Sequence, residues 1–551
     1  MLGNVFDKML HDEDEYGDDA KVVTPEKEKE SEKKGFFEKR DYIIAGIIFL
    51  IALIIRLVFI YKITDPQNPG DGWAGDTFHH WQIAYLTREI GLGQGFLRLW
   101  DLKGMEYFWG PLHPILLMIV FAIQGSASVV GARILSAVFG SVTIACFYLL
   151  GKKYWNRLSG AVAALLAATF PVAILDDTFG LLEQIAVAML LVGIVVLESY
   201  PFLAGIIWAL SAMVRAEAWI FGFSLLIISR RALKKSGQFT QVVLGWVIPM
   251  LFYLKYLLDY TGNAIYPVWW NYLANARGAW ATEIIYTPYQ LMIKPYLVAW
   301  FGVSVVLFLL IWWRSKGPSS VFTLFIFLYM IFMSGMLGLT HYLTGFQPWF
   351  WFIRFFEFPY IFLGFLISIV LFYYVPKHAK LFNNIFLKLF LFIPVGLIVL
   401  ATQVGFWSPI MDKYNSTRPY WERTKSTARE VGEVYKDGTL LIPDGDPNIT
   451  YALVNFNGIK GRNILGQMYD PYFYMEDKDP YANWGDNREL VLSWLKKDDI
   501  QLILMYTATD RYMKLFEKEP EYFEFVKDIP NTAMKVYRVF PERIVLENED
   551  L

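Results

Sequence analysis

The sequence predicts a polytopic α-helical membrane protein of about eleven spans, followed by a C-terminal extracytoplasmic α/β domain. Three observations predict this class. The chain is 55% hydrophobic and only 19% charged, whereas a soluble domain is about 25% charged. Long apolar blocks alternate with short basic clusters, which is the pattern of a multi-span protein. After residue 407 the composition becomes polar and mixed.

Composition also excludes several classes of protein. The formal net charge is −2, so no bulk basic field indicates a nucleic-acid partner. Cys146 is the single cysteine, which rules out a disulfide within the chain and a cysteine-based metal site. Phosphate-binding loops of the Walker type, dinucleotide-binding glycine patterns and zinc-protease helices are absent from the sequence.

The N-terminal 40 residues are rich in Asp, Glu and Lys, which predicts a disordered tail. The pairs Lys33-Lys34 and Lys39-Arg40 precede the first apolar run, 42–61. Basic residues beside the first span predict a cytoplasmic N-terminus. The run carries no small-residue cleavage pattern and many spans follow it, so we expect a retained helix.

The remaining apolar blocks predict the other spans of a transmembrane domain over 41–407. Alternate loops carry the basic clusters, such as Arg230-Arg231, and we expect these loops in the cytoplasm. An odd number of spans then places the C-terminal segment outside the cell membrane. The predicted spans lie near 128–150, 158–175, 181–198, 202–215, 218–229, 239–258, 294–313, 319–340, 352–374 and 386–406.

One apolar block, 112–124, is too short for a span of about 20 residues. Counting it as a span would place the later basic clusters outside. We therefore predict an interfacial or re-entrant helix within a long first outer loop, 62–127.

Residues 408–551 alternate between strand-like and helix-like segments, which predicts a small α/β domain. The predicted strands are 438–443, 500–505 and 533–539, and the predicted helices are 490–497 and 511–518. The segment also contains two Asn-x-Thr glycosylation patterns, at Asn415 and Asn448.

Carboxylates from three separate loops are predicted on the outer face. Asp71 and Asp76 follow the first span, Asp176, Asp177 and Glu183 follow the third, and Glu217 lies further on. Carboxylates that converge can hold a divalent cation, such as Mg²⁺ or Mn²⁺, or divide the work of base and orienting group. Solvated loop carboxylates, or carboxylates that only stabilise a helix start, are the alternative.

Two arginines near membrane depth, Arg215 and Arg354, are candidates for phosphate binding. The planar guanidinium matches two phosphate oxygens at once. The alternative is a snorkelling side chain or a simple pair with Glu217 or Glu357. Arg56, inside the first span, is interpreted as a structural partner of a buried polar group.

His79, His80 and His113 belong to the same outer loop, and Trp269 lies in a predicted outer loop with Trp270. His80, His113 and Trp269 are candidate substrate-binding residues. The histidines could instead hydrogen-bond to loop backbone, and the tryptophans could belong to an aromatic belt at the membrane surface.

The order of these features resembles the GT-C integral-membrane glycosyltransferases. The features are the first span, the long acidic outer loop, a His-Pro segment, the segment 133–136 (Arg-Ile-Leu-Ser), the basic turn 151–157 and the Arg-x-Glu at 215–217. The likeness covers about 42–370. It is strongest to dolichyl-phosphate-mannose protein mannosyltransferases and aminoarabinose transferases, and Asp176-Asp177 is similar to the second acidic motif of oligosaccharyltransferases. The Trp-Trp-Asp-Tyr-Gly signature of oligosaccharyltransferases is absent, and its nearest match, 483–486, departs from it.

The resemblance implies an inverting transfer of one sugar, such as mannose, from a polyprenyl-phosphate carrier in the membrane. The acceptor would be a protein, a glycan or a lipid at the outer face. By this resemblance Asp76 is the catalytic base or a metal ligand, and Asp177, with Asp176 as its rival, is the second acidic position. Transfer of a whole oligosaccharide to protein, or secondary transport, are the alternatives. A transporter would show paired broken helices in two related halves, and the sequence shows no such symmetry.

Overall fold

The computed structural model describes residues 37–70, 76–90, 109–233, 235–276, 302–303, 305–315, 317–344, 352–378, 385–443, 447–466, 484–506 and 512–546. The chain divides into two compact units, residues 1–47 and 48–551. All contacts described below lie within the second unit.

The described part of the transmembrane region is helical. In chain order its helices are α1 Lys39–Val58, α2 Asp76–Ile90, α3 Leu112–Gln124, α4 Val129–Tyr154, α5 Arg157–Thr169, α6 Pro171–Asp177, α7 Glu183–Val196, α8 Pro201–Ala212, α9 Glu217–Ser229, α10 Ser236–Thr261, α11 Tyr266–Ala276, α12 Val305–Arg314, α13 Pro318–Thr344, α14 Phe352–Ile369, α15 Val375–His378 and α16 Ile385–Asn415. Short π-helical turns, Phe59–Ile63 and Val370–Tyr374, extend α1 and α14.

Local sequence explains several of these boundaries. The Ser128 hydroxyl accepts a hydrogen bond from the Val130 amide at the start of α4, at 3.2 Å. The Asn156 side chain does the same for the Ser159 amide at the start of α5, at 2.7 Å. Such side-chain oxygens satisfy amides that have no partner in the first helical turn.

Within the described ranges, four helices are long and apolar enough to cross a membrane, and one bent helix pair brings the number to five. Integral membrane placement is therefore confirmed, whereas the predicted count of eleven spans is not. Several predicted spans are helices of only 10–17 residues, among them α7, α8 and α9. The sidedness of the two termini stays a prediction.

Two predictions about local structure need correction. The predicted span 158–175 is bent by 66° between α5 and α6, because Pro171 lacks the amide that would continue the helix. The predicted loop around Trp269 is helix α11.

The C-terminal region contains a five-stranded sheet and four helices within its described residues. The elements are α17 Arg418–Val434, β1 Thr439–Ile442, α18 Pro447–Asn457, β2 Ile464–Gly466, α19 Trp484–Lys497, β3 Ile500–Tyr506, α20 Tyr512–Lys518, β4 Phe523–Asp528 and β5 Met534–Val539. Strand β1 is parallel to β2 and β3, and β5 is antiparallel to β3 and β4, which gives the order β2-β1-β3-β5-β4. The three predicted strands and two predicted helices are present, and β2, β4, α17 and α18 were not predicted.

The predicted start of this region at residue 408 falls inside α16, which continues to Asn415. The region also packs directly on the helix that begins at Asp76. Trp421 stacks on Phe78 at a ring-centroid distance of 5.8 Å, and Tyr451 meets Trp81 edge-on at 4.9 Å. A separate C-terminal domain therefore stays a prediction, but the region packs beside helix α2 of the predicted first outer loop.

Candidate functional site

Asp76 is the first residue of α2 and is partly buried. A carboxylate at this position interacts favourably with the amides of the first helical turn. The next residue, Thr77, anchors the helix start, because its hydroxyl donates a hydrogen bond to the Phe179 carbonyl at 2.8 Å. Asp71, the other candidate of this loop, lies outside the described residues.

Arg215 lies between α8 and α9 and is held by two carboxylates. Its Nη1 is 3.1 Å from Glu183 Oε1, and its Nη2 and Nε are 2.7 and 3.0 Å from the two oxygens of Glu217. Asp76 also interacts electrostatically with this guanidinium. The structure thus brings Glu183, Arg215 and Glu217 into contact and places Asp76 close enough to interact with Arg215. The location of this group at the outer face stays a prediction.

The Arg215–Glu183–Glu217 cluster forms the polar end of a cleft. The Tyr329 ring contributes an aromatic wall, which sequence reasoning did not predict. Most other side chains in the cleft are apolar. They are Ala186, Val187, Leu190, Ala218, Phe221 and Met333. A concave apolar site with a few convergent polar groups is the usual form of a small-molecule or lipid site.

The histidines lie beside this cleft and pack on each other. The His80 ring is 4.9 Å from the His113 ring and 4.5 Å from the Trp109 ring. His80 and His113 are both buried. They therefore lie in the protein interior rather than on an open surface.

Both His79 and His113 are neutral near pH 7. Burial lowers the pKa of His79 to about 4, although Asp76 opposes the change. Burial likewise lowers the pKa of His113 to about 4, against the opposing charge of Glu183. A neutral imidazole can accept or donate one hydrogen bond at each nitrogen but adds no positive charge to the site.

Asp177 belongs to a second cluster. Arg56 binds it with Nε and Nη2 at 2.6 Å each, and the two side chains are 0% and 2% exposed. Arg56 also donates to the carbonyls of Ala52 and Ala168, at 3.1 and 3.2 Å. This geometry agrees with the predicted structural role of Arg56. Asp177, a candidate for the second acidic position of the site, is paired with this buried guanidinium.

Glu357 completes this second cluster and was predicted only as a partner of Arg354. Glu357 is 1% exposed, accepts a hydrogen bond from Gln184 Nε2 at 3.0 Å and interacts with Asp177. Asp176 is also buried and lies close enough to interact electrostatically with Glu357. The backbone of Gly140 makes room for this group, because a Cβ at that position would overlap the Asp177 carboxyl.

Two further candidates are not joined to the cleft by any described contact. The side chain of Arg354, in α14, lies outside the described residues. Trp269, in α11, is 44% exposed, and its ring is 6.1 Å from that of Tyr266.

The predicted metal ligands do not form a common site in the described part of the chain. No group of three or more His, Cys, Asp or Glu side chains there has the arrangement that holds a metal ion. Part of the reason is that the carboxylate of Asp177, one of the predicted ligands, is bound to the guanidinium of Arg56.

Comparison with known proteins agrees with this architecture. The family model described as dolichyl-phosphate-mannose-protein mannosyltransferase matches residues 109–253, which include α3 to α9 and the cluster around Arg215. No curated protein matches the chain in sequence.

Among solved structures, ArnT from Cupriavidus metallidurans bound to undecaprenyl phosphate is similar with a TM-score of 0.54, 11% identity, and coverage of 89% of this chain and 97% of that one. Apo ArnT from the same organism gives a TM-score of 0.53 at 12% identity, with 90% and 98% covered. The oligosaccharyltransferase AglB from Archaeoglobus fulgidus, in complex with an inhibitory peptide and a dolichol-phosphate, gives 0.47 at 13% identity, with 93% and 76% covered.

The match to the mannosyltransferase family model over residues 109–253 and the fold shared with ArnT indicate a class of protein, the integral-membrane glycosyltransferases. Within that class, the same findings support membership of the GT-C superfamily. The sequence resemblance to this superfamily is thereby confirmed.

Proposed function

We propose that this protein transfers a single sugar from a polyprenyl-phosphate carrier to an acceptor at the extracytoplasmic face of the cell membrane. The observation that carries the proposal is the cleft in which Arg215, Glu183 and Glu217 meet an apolar wall. A lipid-linked sugar has the same two-part character, with a polar head and an isoprenoid chain. The fold supports the proposal, because ArnT binds undecaprenyl phosphate.

The charges of the cleft suggest which residues bind the sugar and which bind the phosphate of the lipid-linked donor. Arg215 is already paired with two glutamates, so this cluster carries a net charge of about −1 when both carboxylates are ionised. Such a cluster suits sugar hydroxyls, which donate hydrogen bonds to carboxylates, better than it suits a free phosphate. We therefore assign Glu183 and Glu217 to sugar binding and Arg215 to their orientation. Arg354 is the proposed phosphate-binding cation, and His80, His113 and Trp269 are proposed to support substrate binding.

Asp76 is the proposed catalytic base. It takes the proton from an acceptor hydroxyl as that oxygen bonds to the anomeric carbon. The bond between this carbon and the phosphate oxygen breaks at the same time, and polyprenyl phosphate leaves. Attack opposite the leaving group inverts the anomeric centre. A positioned base typically contributes about 10²–10⁴-fold in rate.

Asp177 is proposed to shape the site through its pair with Arg56. A divalent cation is not assigned a step, because the predicted ligands Asp76, Asp176 and Asp177 form no common donor set in the described structure. Mannose is the donor sugar that the family match favours.

The proposal is tested by incubating purified protein with several radiolabelled polyprenyl-phosphate sugars, with and without EDTA. We expect transfer of label from one of these lipids to an acceptor. Activity that is lost in EDTA and restored by Mg²⁺ or Mn²⁺ would reveal a metal requirement. Failure of all donors with folded, membrane-embedded protein would overturn the proposed function.

Asp76→Asn is the central variant of this assay. We expect it to lower turnover by about 10²–10⁴-fold with an unchanged melting temperature. Glu89→Gln is the matched control, because Glu89 is an exposed carboxylate of the same helix, paired with its neighbour Arg88. Wild-type turnover in Asp76→Asn would contradict the assignment of the base.

A further inference from the structure

We propose that Arg133 is a positioning residue that fixes two chain segments of the catalytic site against each other. One segment leads from the first membrane helix toward Asp76, and the other joins Asp177 to Glu183. This inference rests on the proposed function for its effect on turnover. The geometric part of it can be tested without any activity.

Arg133 is in α4, is fully buried, and uses all three of its nitrogens. Its Nη1 donates to the backbone carbonyls of Asp65, Pro66 and Asn68 at 2.6, 3.1 and 3.3 Å. Its Nη2 donates to the Thr64 hydroxyl at 2.9 Å. All four acceptors belong to the short turn that follows the first membrane helix.

The remaining nitrogen of Arg133 reaches the other segment. Nε donates to the Thr178 carbonyl at 2.7 Å. Thr178 directly follows Asp177 and precedes Glu183 by five positions along the chain. One side chain therefore joins the turn at 64–68 to the segment at 178–182.

A second bond joins the same two regions from the other side. Thr77, next to Asp76, donates its hydroxyl hydrogen to the Phe179 carbonyl at 2.8 Å. Gly180 has a φ of +84°, and a Cβ there would lie 3.0 Å from the Thr77 methyl group and 3.1 Å from Ala132. The segment 178–182 is thus fitted between α4 and the start of α2.

The turn at 64–68 is also held by the C-terminal region. The Tyr414 hydroxyl accepts from the Asp65 amide at 2.9 Å and donates to the Asn68 carbonyl at 3.1 Å. Trp421 Nε1 donates to the Asp65 carboxylate at 3.0 Å. Because Tyr414 and Trp421 also hold this turn, the loss of Arg133 should release mainly the link to 178–182.

Only arginine meets these demands at position 133. The acceptors point at three nitrogens from different directions, and the planar guanidinium supplies five N–H donors in a fixed fork. A lysine ammonium carries the same charge but a single donor atom, so it could not reach all five oxygens. Four of the five acceptors are backbone carbonyls, so Arg133 acts mainly on the position of the backbone in these two segments.

The test uses Arg133→Lys and Thr77→Val in the full-length protein. Thr77→Val keeps the side-chain shape and removes one hydrogen bond, so it should fold even where Arg133→Lys does not. Arg231→Lys, at an exposed arginine in the loop after α9, is the control for the first variant. Thr143→Val is the control for the second, because the buried Thr143 hydroxyl has no hydrogen-bond partner among the described residues.

Hydrogen–deuterium exchange of the peptide covering 178–183 measures the link directly. We expect faster exchange in both variants and unchanged exchange in α10 and in both controls. With a verified lipid-linked donor, we expect turnover to fall about tenfold or more in Arg133→Lys and about threefold in Thr77→Val, because small displacements of reacting groups are costly. The Michaelis constant for the donor should change less than twofold.

Unchanged exchange at 178–183 in both variants would overturn the inference. So would faster exchange with wild-type turnover, or a loss of turnover explained wholly by a raised Michaelis constant. Faster exchange in the two variants, together with a wild-type protein that transfers no sugar from any donor, would leave the link supported and would overturn the proposed function alone.

Discussion

Two arginines in this protein lie among pairs of carboxylates, and their surroundings give them different roles. Arg215 is bound by Glu183 and Glu217 at the end of a cleft, where the three side chains are 10%, 7% and 18% exposed. Arg56 lies with Asp177 and Glu357 in a closed interior, where exposure is 2% or less. Both groups pair an arginine with carboxylates, but only the first lines the described cleft.

The difference shows that access, rather than charge composition, separates a binding group from a structural one. A buried ion pair compensates a large desolvation cost and is strongly sensitive to the loss of one partner. A partly exposed pair costs less to disrupt and can exchange its contacts with a ligand. Substitutions in the closed cluster should therefore change stability, and those in the open cluster should change activity.

The largest effect is expected from Arg56→Met in the closed cluster. It leaves the Asp177 carboxylate buried without its cation, which should destabilise the fold by about 3–5 kcal/mol. Chemical or thermal unfolding in detergent measures the change. The double variant Arg56→Met/Asp177→Leu should recover much of the loss. Equal stability of the single variant and the wild type would contradict the structural role of this pair.

A smaller effect, on activity, is expected from Glu183→Gln in the open cluster. Loss of a charged hydrogen-bond partner is worth about 1.5–3 kcal/mol, so kcat/KM should fall by roughly 10–150-fold with little change in Tm. Glu357→Gln is the matched variant in the closed cluster, and we expect it to affect Tm more than kcat/KM. The reverse pattern in these two variants would refute the distinction between the clusters.

Gly140→Ala should destabilise the closed cluster by about 1–3 kcal/mol, because the added methyl group would overlap the Asp177 carboxyl. Gly405→Ala is the matched control in a helix position with open space around it. There the substitution should be neutral or stabilising by up to about 1 kcal/mol. Comparison of the two unfolding curves isolates the effect of crowding.

The smallest effect concerns pH. The pKa of His113 is lowered from 6.5 to about 4 in the folded protein, so the unfolded chain binds more protons between these values. Stability should therefore fall as pH decreases from 6.5 toward 4. We expect His113→Gln to make Tm less dependent on pH in this range, and His11→Gln, in the N-terminal tail, to leave the dependence as it is. An identical profile for His113→Gln would show that His113 is not responsible.

Much of the helical architecture could be predicted from the sequence, because apolar blocks and basic clusters are local signals. The predicted spans 128–150 and 239–258 correspond to α4 and α10. The break at Pro171 was missed although its signal was present in the predicted span. Strands β2 and β4 were missed because β2 is only three residues long and three of the six residues of β4 are charged.

The candidate site could be predicted in part. The grouping of Asp76, Glu183, Arg215 and Glu217 followed from their common predicted face of the membrane. The partner of Arg56 could not be identified from the sequence, because Asp177 is 121 positions away along the chain. Tyr329 gave no signal either, since an aromatic residue in an apolar helix is as typical of a core as of a cleft.

The sequence by itself determined the class of protein, the membrane placement and the set of ionisable residues from which the candidate site is built. Those features depend on hydrophobic periodicity and on charges beside spans, which act over a few residues. Only the tertiary structure decided which carboxylate each arginine binds and which pair stays open to a ligand. The burial of a side chain and the choice of its ion-pair partner depend on packing between helices that are distant in the chain. A local sequence pattern does not predict such contacts.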